Sequence, residues 1–308
     1  MPEAQQTLVF DPEAYKTRLS EGPFASKAAV IAACRPMDAT QPHWQQYQQW
    51  AQQHAVTGNS IILSVNSPGY LEVRRSELEK QLRSFQDARA NPESTAGGGY
   101  PVPEALSQAF NAAANTHKSG TFKVMLMNSL RYISYFDLRK SFPTLDIHAI
   151  CAAPTQDHAR QCNELIQTVA PELADNLEFS ADWQDENYFH LVNVDFAAIY
   201  FDQEQLDILA ENIAATCSDH VIFSNIARNP SQDGTAQWMG QRAFGGIIPY
   251  RIPAKDEIIN IMTARGYKVT RSSVDPLAYK GDPTSAIVKT PDERDNFSFS
   301  RNAAALEP

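Results

Sequence analysis

The stretch TFKVMLMNSLRYISYFDLRK, residues 121–140, decides how this chain is read. A short apolar run, TFKVMLM (121–127), gives way through Asn128 and Ser129 to a segment with helical spacing at about 134–142. The same alternation continues outward. LDIHAICAA (145–153), NLEFSADW (176–183), FHLVNVD (189–195) and HVIFSNIA (220–227) are further short apolar runs. Helix patterns at about 155–170 and 203–216 lie between them. Strands separated by helices of this length predict a parallel sheet with helices on both faces. Near the end, AKDEIINIMTARGYKVTRSSV reads as a helix, a glycine stop at Gly266 and a strand, and TSAIVKT (284–290) supplies a closing strand. Residues 100–290 therefore form an α/β domain with a doubly wound, mostly parallel, Rossmann-like sheet.

The N-terminal part reads mainly as helix. PHWQQYQQWAQQH (42–54) spaces Trp44, Tyr47 and Trp50 three apart on one helical face, which suits packing against the main domain or a lid over a pocket. NSIILSVNSPGYLEV has room for a strand, and ELEKQLRSFQDAR returns to helix. The Gly- and Pro-rich NPESTAGGGYPVP then marks the best boundary. The expected division is a mainly helical extension or lid over 1–95 and the Rossmann-like domain over 96–308.

Composition narrows the partners. The 308 residues carry a net charge of -10 with no cluster of Lys and Arg, which argues against nucleic acid or an anionic membrane surface. No apolar stretch is long enough to span a bilayer, and the N-terminus lacks the form of a signal peptide. Cys34, Cys151, Cys162 and Cys217 show no metal-like spacing, and Cys151 and Cys217, in or beside apolar runs, read as buried free thiols. The expectation is a cytoplasmic protein whose partner is a small-molecule substrate or another protein, with a homodimer through the N-terminal region left open.

The segment from Tyr100 through Lys140 resembles a family of bacterial methyltransferases associated with sugar and surface-polysaccharide clusters. That family has a strand and loop of the form V-L-D-F-G-G-x-L-G-S-x-Y-F-x-x-R-K. Here Val124 to Lys140 reads VMLMNSLRYISYFDLRK, and Val124, Tyr135, Phe136, Arg139 and Lys140 fall on matching positions without a gap. HVIFSNIARNP and GGIIPYRIPAKDEIINIMTARGYKV resemble later parts of the family. The resemblance covers about two-thirds of the chain. It implies a class I methyltransferase fold, in which a closing antiparallel pair is typical, and S-adenosyl-L-methionine as cofactor.

The departures fall on the cofactor loop. The glycines that let the family's backbone approach the cofactor are replaced by Asn128, Ser129 and Tyr132, and the acid late in the first strand by Leu126. The acid that would hold the ribose hydroxyls at the end of the second strand is replaced by Ala152, followed by Ala153. Leaving buried ribose hydroxyls unpaired costs about 1–3 kcal/mol each. The motif is degenerate, so two expectations stand together. One is a methyltransferase with an atypical cofactor loop acting on a small molecule or sugar. The other is a non-catalytic pseudoenzyme of the same fold that binds or scaffolds in a biosynthetic complex. A cleft turned to unrelated chemistry is a third.

Ligands of open α/β sheets bind at the C-terminal ends of strands, which makes Asp195, after FHLVNV, the candidate catalytic residue, with a helix-capping role as its alternative. Asn225 and Arg228 follow the next strand. His190 begins its strand on the wrong side for catalysis, His148 suits a core, and His158 opens the following helix and could face the cleft. Trp238, Arg242, Tyr250 and Arg251, in the loop TAQWMGQRAFGGIIPYRIP, are the candidate substrate- or partner-binding residues. No hydrolase elbow, P-loop, dinucleotide fingerprint or metal-ligand spacing occurs.

Overall fold

The computed structural model describes residues 23–33, 68–90, 104–117, 120–128, 135–136, 138–139, 142–182, 188–195, 197–228, 234–243, 246–276 and 293–301. The aromatic stripe at 42–54 and the boundary segment 91–103 lie outside the described residues.

Five strands follow the apolar runs: β1 (Phe122–Asn128), β2 (Ile147–Ala152), β3 (Leu177–Ser180), β4 (Phe189–Asp195) and β5 (Cys217–Ala227). They pair in parallel in the order β3-β2-β1-β4-β5. Two more complete the seven-stranded sheet. β9 (Glu293–Arg301) runs antiparallel between β5 and β8 (Tyr267–Pro276). This is the doubly wound, mostly parallel Rossmann-like sheet that the sequence predicts, closed by an antiparallel strand.

The closing strand is not where the sequence pattern put it. TSAIVKT (284–290) lies outside the described residues, and ERDNFSFSR occupies the place between β5 and β8. Its pattern explains why it is missed. Phe297 and Phe299 pack with one core cluster while Asn296 and Ser298 are buried on the other face, so half its inward residues are polar.

Both faces of the sheet are covered. On one, Val124 and Leu126 of β1, Leu191 of β4 and Ile222 of β5 meet Leu78 and Leu82 of α2 (Pro68–Ala90), Phe110 and Ala113 of α3 (Glu104–Thr116), and Cys162 and Ile166 of α4 (Gln156–Val169). On the other, Met125, Val192, Val194 and Phe223 meet Leu206, Leu209, Ala210 and Ile213 of α5 (Gln203–Thr216) and Ile258 and Met262 of α6 (Glu257–Thr263). Burying each large aliphatic or aromatic side chain stabilises the fold by about 1.5–3 kcal/mol. This two-sided burial is why β1 and β4 read as continuous apolar runs. Gly266, at φ 84, makes the left-handed turn from α6 into β8 that its sequence position predicts.

TAQWMGQRAFGGIIPYRIP, expected as a loop, is a two-stranded hairpin of β6 (Gln237–Ala243) and β7 (Gly246–Ile252). Its glycines and mixed side chains hide the alternation. β7 packs on β5 and on the 3-10 turn Ala197–Tyr200 that follows β4. α1 (Lys27–Ala33) packs on both hairpin strands, and Phe24 pairs with Trp238 through N–H···O bonds of 2.8 and 2.9 Å. The N-terminal segment and the hairpin thus form one unit beside the C-terminal ends of β4 and β5. Among the described residues no helix is long and apolar enough to cross a membrane.

Candidate active site

From β1 the chain winds outward through β2 to β3, and from β4 it winds the other way to β5. The helices diverge at the β1–β4 boundary, which opens a crevice at the C-terminal ends of those two strands. Asn128 and Asp195, the last residues of β1 and β4, are register partners there. The Asn128 side chain is not described, and Ser129 and Tyr132 lie outside the described residues.

Asp195 is 6% exposed, and its Oδ1 accepts a hydrogen bond from the Ser224 hydroxyl at 2.9 Å. Ser224 is its register partner on β5 and is fully buried. The sequence alone does not single out Ser224. Its signal is a small polar residue inside the apolar run HVIFSNIA, opposite another polar residue on the neighbouring strand. Asn193 is a second residue of this kind. It lies two residues before Asp195 on the same face of β4, is fully buried, and its amide nitrogen and oxygen find no hydrogen-bond partner among the described residues. The floor beneath the crevice is therefore polar where a sheet of this type is ordinarily aliphatic.

The β2 side differs. Ala152 ends β2 half-buried, and buried Ala153 donates its backbone N–H to the Ser180 carbonyl at 2.7 Å. Two methyl side chains stand where the family resemblance leads one to expect an acceptor for ribose hydroxyls. The nearby polar pair, Gln156 at the start of α4 and Asp182 beyond β3, is hydrogen-bonded to itself.

His158 does not face the cleft. It is 2% exposed, and its Nε2 lies 3.5 Å from the Cys162 Sγ one helical turn on. Burial, with the positive charges of Arg74 and Arg75 on α2, pushes its pKa down to about 4, so it is neutral. Burial raises the Cys162 thiol to about 12 and lifts Cys151 further still. Both cysteines are inert buried thiols, as the sequence predicts for Cys151. Cys34 lies outside the described residues, and the side chain of Cys217 is not described.

His190 sits at the opposite end of the sheet. Its Nδ1 accepts from the Lys123 backbone N–H at 3.1 Å, and its ring stacks on Phe122 at 5.2 Å and meets His117 edge-on at 4.5 Å. This is a structural role. Among the described residues no group of three side chains could hold a metal ion.

The expected substrate or partner surface is turned inward. Trp238, Tyr250 and Arg251 are 6%, 1% and 6% exposed. Trp238 lies beside the docked N-terminal segment, with Lys27 Nζ 5.8 Å from its ring centroid. Arg251 donates to Glu257 Oε1 at 2.8 Å, and Glu257 Oε2 accepts from the Ala254 N–H at 2.7 Å. Tyr250 and Arg251 are neighbours on β7 and point to opposite faces, so both faces of that strand are covered there, whereas a loop reading leaves these side chains available. Arg242 lies on β6, and its side chain is not described. Arg228 is exposed just past β5, and the side chain of Asn225 is not described.

No family model and no curated protein sequence matches the chain. Solved structures with a similar outline include the magnesium protoporphyrin IX methyltransferase ChlM of Synechocystis PCC 6803 with bound SAH (10% identity, 74% of this chain and 100% of that chain, TM-score 0.42). They also include the [4+2]-cyclase SpnF (10% identity, 75% of this chain and 95% of that chain, TM-score 0.43). A third is the glycopeptide N-methyltransferase MtfA complexed with SAM (12% identity, 66% of this chain and 100% of that chain, TM-score 0.42).

Proposed function

We propose that this protein is an S-adenosyl-L-methionine-dependent methyltransferase acting on a small molecule or sugar. The observation that carries the reading is Asp195, a buried carboxylate held by Ser224 at the end of β4, where the sheet order reverses. Fold alone does not determine function, so this residue and its place carry the reading. When bound, the cofactor supplies an electrophilic methyl group to the acceptor, which gives up a proton.

The chain's own residues divide the remaining work. Asp195 accepts a hydrogen bond from the ligand's ammonium or from an acceptor hydroxyl, and Ser224 fixes the carboxylate so that little reorganisation is needed. α1 and the β6–β7 hairpin wall the acceptor side beyond β4 and β5. On the other side, Ala152 and Ala153 offer the ribose no acceptor. The cofactor fits the β4 side of the crevice better than the β2 side, and affinity below that of a methyltransferase with an acid at this point follows.

The same alanine pair favours a second reading, in which the fold binds or scaffolds without catalysis. Thermal-shift titration of the full chain with S-adenosyl-L-methionine and S-adenosylhomocysteine separates the two. Stabilisation at micromolar ligand supports the enzyme, and none at millimolar ligand leaves the non-catalytic reading.

A further inference from the structure

The seven-stranded sheet has two edges, β3 and β8. β3 is four residues long, the short form that keeps an edge from pairing with another chain. β8 runs for ten residues, and among the described residues no strand pairs with its outer edge. Lys268, Val269, Thr270, Ser272 and Val274 are exposed along it. Val269 and Val274 are two of the four exposed large apolar side chains among the described residues, so this one strand concentrates them.

β8 carries one irregularity. Val269 pairs with Phe299 and Arg271 with Ser298, which makes Thr270 an extra residue, a bulge. Without the bulge Val269 and Val274, five positions apart, would point to opposite faces of the sheet. With it they share one. Val269, Ser272 and Val274 stand opposite Phe299, Phe297 and Asp295, alternate residues of β9. Phe297 and Phe299 pack with the core beneath α5 and α6, which identifies that face. Lys268 and Asp275, opposite Ser300 and Arg294, take positions on the other face.

This order is self-complementary. A second β8, turned antiparallel about a twofold axis at Ser272, brings Val269 opposite Val274 and Lys268 opposite Asp275, and the symmetry repeats each pair. The bulge at Thr270 and Arg271 comes opposite Ser273 in both copies, so the two ends of the ladder stay in register. A lysine and a bulge ordinarily blunt an edge. Here the lysine meets an acidic position and the bulge puts the valines in phase. Apolar and opposite-charge pairs directly across an antiparallel ladder both stabilise it.

We propose that β8 pairs antiparallel with β8 of a second copy of this chain, joining the two sheets into one across a twofold axis at Ser272. The inference rests neither on methyl transfer nor on the N-terminal region.

The test is sedimentation equilibrium of the full chain. It should show a reversible dimer with Kd on the order of 10 μM, as suits an interface at the small end of the range. Lys268→Glu sets like charges opposite each other twice and should weaken the dimer about tenfold. Adding Asp275→Lys reverses both charges and should restore it. Val274→Lys, which places a charge opposite Val269, should also weaken the dimer about tenfold. Lys268 and Val274 are exposed, so circular dichroism of both single variants should match that of the native chain. A monomer at every concentration up to about 200 μM would overturn the proposal. So would a dimer that either single variant leaves intact, which places the contact elsewhere, or a folded double variant no tighter than Lys268→Glu.

Discussion

The Ser224 hydroxyl donates to the Asp195 carboxylate at 2.9 Å across the parallel β4–β5 ladder, with both side chains buried at the end of the sheet where the strand order reverses. A buried carboxylate needs such a partner, because an unpaired one is costly. Ser224→Ala removes the donor without changing the strand. It should cost about 1–3 kcal/mol of stability in chemical denaturation. It should also weaken cofactor binding severalfold, since the carboxylate loses one of the contacts that orient it. Loss of stability with unchanged cofactor affinity would reduce Ser224 to a purely structural residue.

His158 makes stability depend on pH. Its pKa lies near 4 in the folded protein against an ordinary 6.5, so the unfolded chain binds the proton more readily. The sign follows: its contribution is fully present above about pH 6.5 and is lost as pH falls from there toward 4. The loss is on the order of 2–3 kcal/mol. Urea denaturation at pH 7.5 and 5 should show it for the native chain, and His158→Gln should flatten the difference.

Arg251 and Glu257 form a buried ion pair that ties β7 to the start of α6. Glu257→Gln leaves a buried guanidinium without its counter-charge and should destabilise by about 3–5 kcal/mol. Replacing both, Arg251→Met with Glu257→Leu, should recover much of that loss, because the desolvation cost disappears with the charges. Equal melting temperatures for the single and double variants would argue against the pairing.

The β2 end offers a gain-of-binding test. Tyr132→Gly with Ala152→Glu restores a small loop residue and a ribose acceptor, and should tighten S-adenosyl-L-methionine binding by roughly tenfold or more. Calorimetry on the folded double variant checks it, and unchanged affinity would count against the alignment of this loop.

What the sequence could reveal follows from how each signal arises. β1, β2, β4 and β5 are legible because burial on two faces forces unbroken apolar runs, and Gly266 because only a left-handed turn fits there. β9 is hidden because Asn296 and Ser298 are buried polar residues that dilute its alternation. The hairpin is hidden by Gly240, Gly245 and Gly246, and with it the inward turn of Trp238, Tyr250 and Arg251. Asp195 is legible from its position at the end of an apolar strand run. Its partner Ser224 depends on the register between β4 and β5, which no local pattern encodes. The same holds for Arg251 and Glu257, whose pairing brings a strand against a helix start.

The most direct test of the methyltransferase reading is calorimetric titration of S-adenosyl-L-methionine into the full chain and into its Asp195→Asn variant. The native chain should bind in the micromolar range, and the variant, still folded, should bind at least about tenfold more weakly because a charged acceptor has been lost. Absence of binding to the native chain at millimolar ligand, or equal affinity of the two proteins, would contradict it.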